Sequence, residues 1–500
     1  MEIEFKFHIP AERLKALEAA VRRAPVQRTR LQARYFDTPD GTLAAHGAVL
    51  RLRKEGRRWV QTAKALGDGP LHRLEHNVDL GVARVGVAPV PDVQRHAGTP
   101  VGERLSRLLA DAAKPLAETY GTDIWRLTRE LRTTGAVVEL ALDIGTVTAH
   151  PPGGGAPRVS AVCELEMELV RGEVSGLVAL AYRWSQQHRL WFSTVSKAER
   201  GERLLAGIES APAVKAAPPR FAEGDGFPAG PAIQRAVVAA CLAQILPNAT
   251  EVAGDSEDAE HVHQLRIGIR RLRTALRELD GLGPGFDAAW EAPLVAAFRA
   301  LGAHRDADMA ASTVAPALRA ADAPDITLPD DAAASTSPGA VVRSPGFQAA
   351  LVGLIGFAAQ APASDGATPA EARRHLRGRL GALHDGALED GERFDTLDVE
   401  ARHRTRKRLK RLRYLAEFVG PLFDAKRARR YLARLEPAQD ALGRSNDEQV
   451  ALELYRQAAG SDPRAWFAVG WLSARQSDGV QTSRRALRKI VSSPRFWKKK

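Results

Sequence analysis

Hydrophobic and polar positions alternate with a period of two at the start of the chain. Glu2, Glu4 and Lys6 fall on one side and Ile3, Phe5 and Phe7 on the other, as they do on a strand. Neighbouring charges on such a face stand about 7 Å apart. That spacing suits a divalent cation held with an anionic ligand, although a solvated strand face has the same pattern. Further on, Pro10 to Arg23 carries Leu14, Leu17 and Val21 on one helical face. Leu31 to Thr38 reads as a strand entering a Pro39-Asp40-Gly41 turn, and Val49 to Lys54 and Arg58 to Lys64 read as a hairpin about Glu55-Gly56. Further strands are predicted over Leu71 to Leu80, Asp123 to Leu131, Ala136 to Asp143 and Val162 to Val170. Helices are predicted over Pro100 to Ala117 and Ser175 to His188. About eight strands with mostly local connections are enough to close a small barrel.

Beyond residue 228 the period is helical almost throughout. The expected division is a first domain over 1–207, a linker rich in Ala, Pro and Gly over 208–228, and a helical domain over 229–500. A low-complexity stretch, 312–346, separates two helical halves at about 229–311 and 347–500 and reads as loosely held. The fold class is therefore α+β followed by all-α.

Parity along the strands sorts the charges of the first domain. Arg51 and Arg53 share a face, as do Thr62 with Lys64, Arg73 with Glu75, and Glu139 with Asp143. Glu164, Glu166 and Glu168 put three carboxylates on one face. Carboxylates thus gather on the first and last strands and guanidinium or ammonium groups on the middle ones. If the sheet closes, its lumen has an acidic pole for Mg²⁺ and a basic wall for phosphates.

Glu2-x-Glu4-x-Lys6 resembles the ExExK signature of the CYTH superfamily, the triphosphate tunnel metalloenzymes. Tyr35-Phe36-Asp37-Thr38, Leu50-Arg51-Leu52-Arg53, Thr62-x-Lys64, Arg126, Asp143 and Glu164-x-Glu166-x-Glu168 are similar to later motifs of that family, in order. Ser196-Lys197-Ala-Glu-Arg-Gly201 resembles the motif that supplies a lysine near one tunnel end. The resemblance implies an eight-stranded antiparallel tunnel that hydrolyses a triphosphate with Mg²⁺ or Mn²⁺. Lys6, Arg51, Arg53, Lys64, Arg73, Arg126 and Lys197 would then bind phosphate. Glu2, Glu4, Asp143, Glu164, Glu166 and Glu168 would bind metal, Asp143 alternatively positioning water. Phosphoryl transfer asks for positioning and charge neutralisation, and with no nucleophile paired to a base in view, direct attack by water is the economical route.

The helical part repeats itself. His263, Arg266, Arg270, Arg271 and Arg273 are matched 140 residues later by His403, Arg406, Lys410, Arg411 and Arg413. At spacings of three and four most of these form a basic stripe, backed by Leu265, Ile269 and Leu272 in one copy and Leu409 and Leu412 in the other. Leu301 to Asp306 recurs as Leu442 to Asp447, so two pseudo-symmetric units are expected. Stacked like charges ask for a counter-anion. The repeat resembles the CHAD domain, which implies binding of inorganic polyphosphate. Nucleic acid is set aside, because few aromatics interleave with the basic residues; Tyr414 is the exception.

Composition changes this picture little. The chain has 500 residues, 44% hydrophobic and 26% charged, as in a soluble globular protein. Its 72 Lys+Arg against 60 Asp+Glu give a net charge of +12, consistent with anionic partners. Cys163 and Cys241 are far apart in sequence and imply no disulfide framework. The absence of an apolar leader and of an eighteen-residue apolar run leads to the expectation of a cytoplasmic protein without a membrane span, associated with polyphosphate granules. The leading function is a metal-dependent hydrolase of inorganic triphosphate with a polyphosphate-binding domain. The alternatives are a catalytically weak polyphosphate-targeting protein, or a triphosphatase or cyclase acting on thiamine triphosphate or a nucleotide.

Overall fold

The structure is a computed structural model. It describes residues 2–66, 72–82, 88–110, 115–151, 155–222, 226–326, 328, 336–491 and 493–498, without the side chains of 2, 66, 72, 73, 305–308 and 491. The chain divides into two compact units. The first comprises Met1–Val214, Leu246–His261 and Val342–Gln360; the second comprises Lys215–Ile245, Val262–Val341 and Ala361–Lys500. The linear boundary expected at 207 therefore leaves out two later segments that pack into the first unit.

The strands of the first unit are β1 (Glu2–His8), β2 (Gln27–Asp37), β3 (Ala48–Glu55), β4 (Arg58–Leu66), β5 (His72–Val82), β6 (Ala117–Thr133), β7 (Ala136–Ala149), β8 (Arg158–Gly172) and β9 (Trp191–Phe192). They form an antiparallel sheet in the order β5-β4-β3-β2-β6-β7-β8-β1-β9. β5, at one end of that order, also pairs with β1 through Glu2↔Arg73 and Ile3↔His72. The alternation in β1 has its physical outcome: Phe5 and Phe7 are fully buried, with Phe192 edge-on to both at 6.2 Å, while Glu4 and Lys6 line a cavity. β6 and β7 run longer than predicted, and the helix expected to reach Ala117 stops at Leu109, with residues 111–114 of that expectation outside the described residues.

The helices of the first unit are α1 (Leu14–Val21), α2 (Thr42–Ala45), α3 (Pro100–Leu109), α4 (Val174–His188) and α5 (Lys197–Ala206). The Asp37 carboxylate accepts the Leu43 and Ala44 N–H groups at 2.8 and 2.9 Å and so caps α2, after a turn in which Gly41 takes φ +71°. α4 buries Leu177, Leu180, Ala181 and Trp184, packing on β1, β7 and β8. α5 packs on an apolar cluster that includes Tyr35, Tyr120 and Ile124. A Cβ at Gly201 would stand 2.1 Å from the Tyr120 ring, so glycine there permits the approach.

The remaining helices are α6 (Gly230–Ala253), α7 (Ala259–Glu278), α8 (Glu291–Met309), α9 (Ala315–Arg319), α10 (Pro338–Val342), α11 (Pro345–Ala359), α12 (Pro369–Glu392), α13 (Val399–Val419), α14 (Ala425–Ala458) and α15 (Ala465–Val491). The apolar stripes of α7 and α13 are buried at Leu265, Ile269, Leu272, Leu409 and Leu412. The stretch 312–346 is not uniformly loose. α9 and α10 lie within it, and Val314 and Leu318 join a buried cluster with Leu452, Tyr455 and Leu472, because apolar residues are spaced among its alanines. α6 also departs from expectation. It is the one helix among the described residues long and apolar enough to cross a membrane by length and composition, and 67% of its apolar window is buried. On its buried face Gln234 donates to the Leu279 carbonyl at 3.0 Å and Gln244 to Gln264 Oε1 at 2.9 Å, internal partners of the kind a core helix uses.

Candidate active site

Cross-strand register places the charges of the first unit in rows. Glu4 stands opposite Glu168, and Glu168 opposite Glu139, so three carboxylates lie side by side across β1, β8 and β7. The next row holds Lys6 and Glu166, and the one after it Glu164, Asp143 and Arg126. On the other wall, Arg51, Arg53 and Lys64 share the inward parity of β3 and β4. All of these groups except Glu164, which is buried behind the cavity wall, line one cavity of about 320 Å³. Among its described lining residues are the cations Lys6, Arg51, Arg53, Lys64, Arg126 and Lys197 and the carboxylates Glu4, Glu75, Glu139, Asp143, Glu166 and Glu168.

Lys197, the first residue of α5, reaches the acidic rows. Its ammonium contacts Asp143 at 2.7 Å and Glu166 at 2.9 Å, and pairs with Glu164. The Arg126 guanidinium grips Asp143 at 2.7 and 2.6 Å and Glu166 at 2.5 Å. Burial alone would lower the Lys197 pKa, but Glu164, Glu166 and Asp143 together hold it well above the usual value. Burial would likewise raise Glu166, yet Lys197 and Arg126 hold its carboxyl well below the usual range. Lys6 is lowered, chiefly by burial. Arg53 is lowered to about 10 by burial and by the neighbouring Arg51.

The outer acidic row behaves differently. Burial raises Glu168, with Glu4 and Glu139 adding to the shift, and burial also raises Glu139. Like charges directly opposed on neighbouring strands destabilise one another, and a hard divalent cation with oxygen ligands relieves that strain. The residues therefore fit a metal, for which Glu4, Glu139, Glu166 and Glu168 are candidate oxygen donors. Ligand atoms of Asp143, Glu164 and Glu166 also lie within 4.8 Å of one another, close enough to hold a metal ion. In this structure the Lys197 ammonium stands among those three carboxylates. Lys64 is ion-paired with Glu75 and Arg53 with Glu55. The side chains of Glu2 and Arg73 lie outside those described; their backbones face each other across β1 and β5. Glu139 and Tyr35 line the cavity without having been assigned a role from sequence. The parity of Glu139 with Asp143 was the available signal.

The second unit contains a cavity of about 570 Å³, lined from α7 by His263, Arg266 and Arg270 and from α13 by His403, Arg406, Lys410 and Arg413. Arg444, Asp440 and Asp447 of α14 complete its charged lining. The Arg266 and Arg270 guanidinium groups sit 5.1 and 5.0 Å from the Phe298 ring centroid. Burial, reinforced by Arg270 and Arg406, lowers Lys410 to about 6.

Three residues of the predicted polyphosphate set do not line that cavity. Arg271 is 3% exposed, pairs with Glu417 and lies 4.9 Å from the Phe418 ring centroid. Arg411 pairs with Glu278 at 3.4 Å. Each follows a cavity-lining residue directly and so points about 100° away on its helix. Arg273 pairs with Glu291 at 2.7 Å, whereas its counterpart Arg413 lines the cavity, so the two copies are not equivalent there.

The fold and its charge-lined cavity define an enzyme-like α+β unit built on an antiparallel sheet, accompanied by an all-helical region. The chain carries a CYTH domain over residues 1–201 and a CHAD domain over residues 236–456.

Among solved structures, the chain is similar to the CHAD domain from the plant Ricinus communis, at 28% identity and a TM-score of 0.46, covering 57% of this chain and 97% of that one. It is also similar to the putative adenylyl cyclase HpAC1 from Hippeastrum, described as having a dominant triphosphatase activity. That match has 16% identity and a TM-score of 0.29, covering 42% of this chain and 97% of that one. A third is PptA from Streptomyces chartreusis, at 21% identity and a TM-score of 0.38, covering 53% of this chain and 99% of that one.

Proposed function

We propose that the first unit hydrolyses inorganic triphosphate with Mg²⁺ or Mn²⁺, and that the helical cavity binds inorganic polyphosphate. The observation that carries the first half is the charge balance of the smaller cavity. Six cationic and six carboxylate side chains line it among the described residues. A bare triphosphate would leave the site strongly negative, whereas a triphosphate with divalent cations keeps it close to neutral. The volume of about 320 Å³ lies at the small end of ligand pockets and suits a short oxyanion chain. The β5–β1 pairing supports reading the first eight strands as a closed tunnel, with β9 added outside β1.

In this reading Lys6, Arg51, Arg53, Lys64 and Arg126 hold the phosphate oxygens, the arginines by forked hydrogen bonds. Glu4, Glu139, Glu166 and Glu168 would hold the metal, which would supply charge neutralisation along the phosphate chain. Lys197 sits where negative charge collects and orients a terminal phosphate. Water adds to the terminal phosphorus, the bridging P–O bond breaks, and pyrophosphate leaves with that oxygen.

The helical cavity offers Arg266, Arg270, Arg406, Lys410, Arg413 and Arg444 to a phosphate polymer, which needs guanidinium and ammonium groups and no stacking platform. A place beside cytoplasmic polyphosphate bodies follows from that partner.

The test offers tripolyphosphate, ATP, thiamine triphosphate and long-chain polyphosphate to the purified chain with Mg²⁺ or Mn²⁺. Phosphate release should be fastest from tripolyphosphate. Retention of long polyphosphate with no release from any triphosphate would instead mark a binding protein.

A further inference from the structure

Lys197 is bracketed by three anchors that all come from beyond residue 245, inside the CHAD-matching range. Before it, the Phe192 N–H donates to Gln348 Oε1 at 2.8 Å. Gln348 is 1% exposed, and its Nε2 donates to the Val342 carbonyl at 2.8 Å, so both ends of the amide are committed. The Thr194 N–H donates to Thr250 Oγ1 at 3.1 Å. After Lys197, Arg203 of α5 is ion-paired with Glu251. The same strap touches the site itself, because the Ser193 N–H donates to the Lys6 carbonyl at 3.0 Å and Phe192 pairs with Phe7.

We infer that Gln348, Thr250 and Glu251 are positioning residues of the tunnel enzyme, fixing the strap 191–197 so that the Lys197 ammonium is held among Asp143, Glu164 and Glu166. A lysine springs from its backbone on a long flexible stem. Where its ammonium rests therefore depends on where residues 192–197 are pinned; the tunnel strands hold the strap through Trp191, Phe192 and Ser193 and hold α5 by its packing on β6, β7 and β8, and the later segments add anchors on both sides of Lys197. The later segments are thus structural members of the catalytic unit. Their effect on turnover rests on the triphosphatase reading; their effect on the strap does not.

The experiment uses the full chain carrying Gln348→Met, which keeps length and bulk but removes both hydrogen bonds. Misplacement of a catalytic group by about 1 Å can cost two orders of magnitude in rate, so kcat on tripolyphosphate should fall roughly tenfold or more with KM little changed. In a Lys197→Ala background the same substitution should change kcat by less than about twofold, because Gln348 acts through Lys197. Acetylation of Lys197 by a water-soluble reagent, read by mass spectrometry against Lys15, should speed up in Gln348→Met. Thr250→Val provides the same readings if Gln348→Met does not fold.

Equal losses of kcat in both backgrounds, or an unchanged Lys197 acetylation rate, would overturn the inference. If the wild-type chain releases no phosphate, the triphosphatase reading fails, and the acetylation rate alone still decides whether the strap is held as described.

Discussion

Lys410 carries a pH signature of the helical cavity. Its ammonium is lowered to about 6 by burial and by Arg270 and Arg406, so it is mostly neutral at pH 7. A bound polyanion would favour the charged form and raise that pKa, so binding takes up a proton. Affinity for polyphosphate should therefore rise as pH falls from 8 toward 6 and level off below 6. Calorimetry in buffers of different ionisation heats measures the proton uptake, and Lys410→Arg should remove it. Arg271 makes the opposite case. It is buried against Glu417 and Phe418 and outside the cavity, so Arg271→Met should lower stability by roughly 1–3 kcal/mol, since Glu417 keeps Arg413 as a partner. Chemical denaturation checks that, and polyphosphate affinity measured on the folded variant should be unchanged.

Much of this was legible at the residue scale, because strand parity alone assigns the inward faces of Glu4, Lys6, Arg51, Arg53 and Glu166. The role of Glu139 was not. Its partner Glu168 is fixed by a register that shifts at Val137/Val138, and a bulge of that kind leaves no mark in the local period. The exclusion of Arg271 was available in principle from the helical turn angle, but a run of adjacent basic residues hid it.

At the scale of elements, α11 is the least expected part of the first unit. It packs on α4, and a Cβ at Gly356 would stand 2.5 Å from Val178 Cγ2 and 3.0 Å from Cγ1. Gly356→Val should therefore cost about 1–3 kcal/mol through overpacking, read as a lower denaturation midpoint. No local pattern in the sequence announces this contact, since α11 is apolar nearly all round and its burial is decided by a helix more than 150 residues earlier. The short helix α5 was hidden for a different reason. Its sequence, Lys197 to Ala206, is dominated by charges, and its cap is the Ser196 hydroxyl, which accepts the Glu199 N–H at 3.1 Å.

For the whole molecule, two charge-lined cavities of different design share one chain. The sheet cavity alternates acid and base, and in the proposed function it takes a metal along with its anion. The helical cavity is predominantly basic among its described lining residues, and in the proposed function it takes an anion directly. The two should accordingly respond separately to substitution, with Arg270→Glu combined with Arg406→Glu removing polyphosphate retention at low salt while leaving triphosphate turnover in place.

The most direct test of the central claim is phosphate release from tripolyphosphate with Mg²⁺ or Mn²⁺, compared between the wild-type chain and Glu4→Gln. Glu4 faces Glu168 in the outer acidic row, so the amide should weaken metal binding and abolish turnover, with polyphosphate retention by the helical cavity intact. Unchanged turnover by Glu4→Gln, or full turnover by the wild type after removal of divalent cations, would contradict the account.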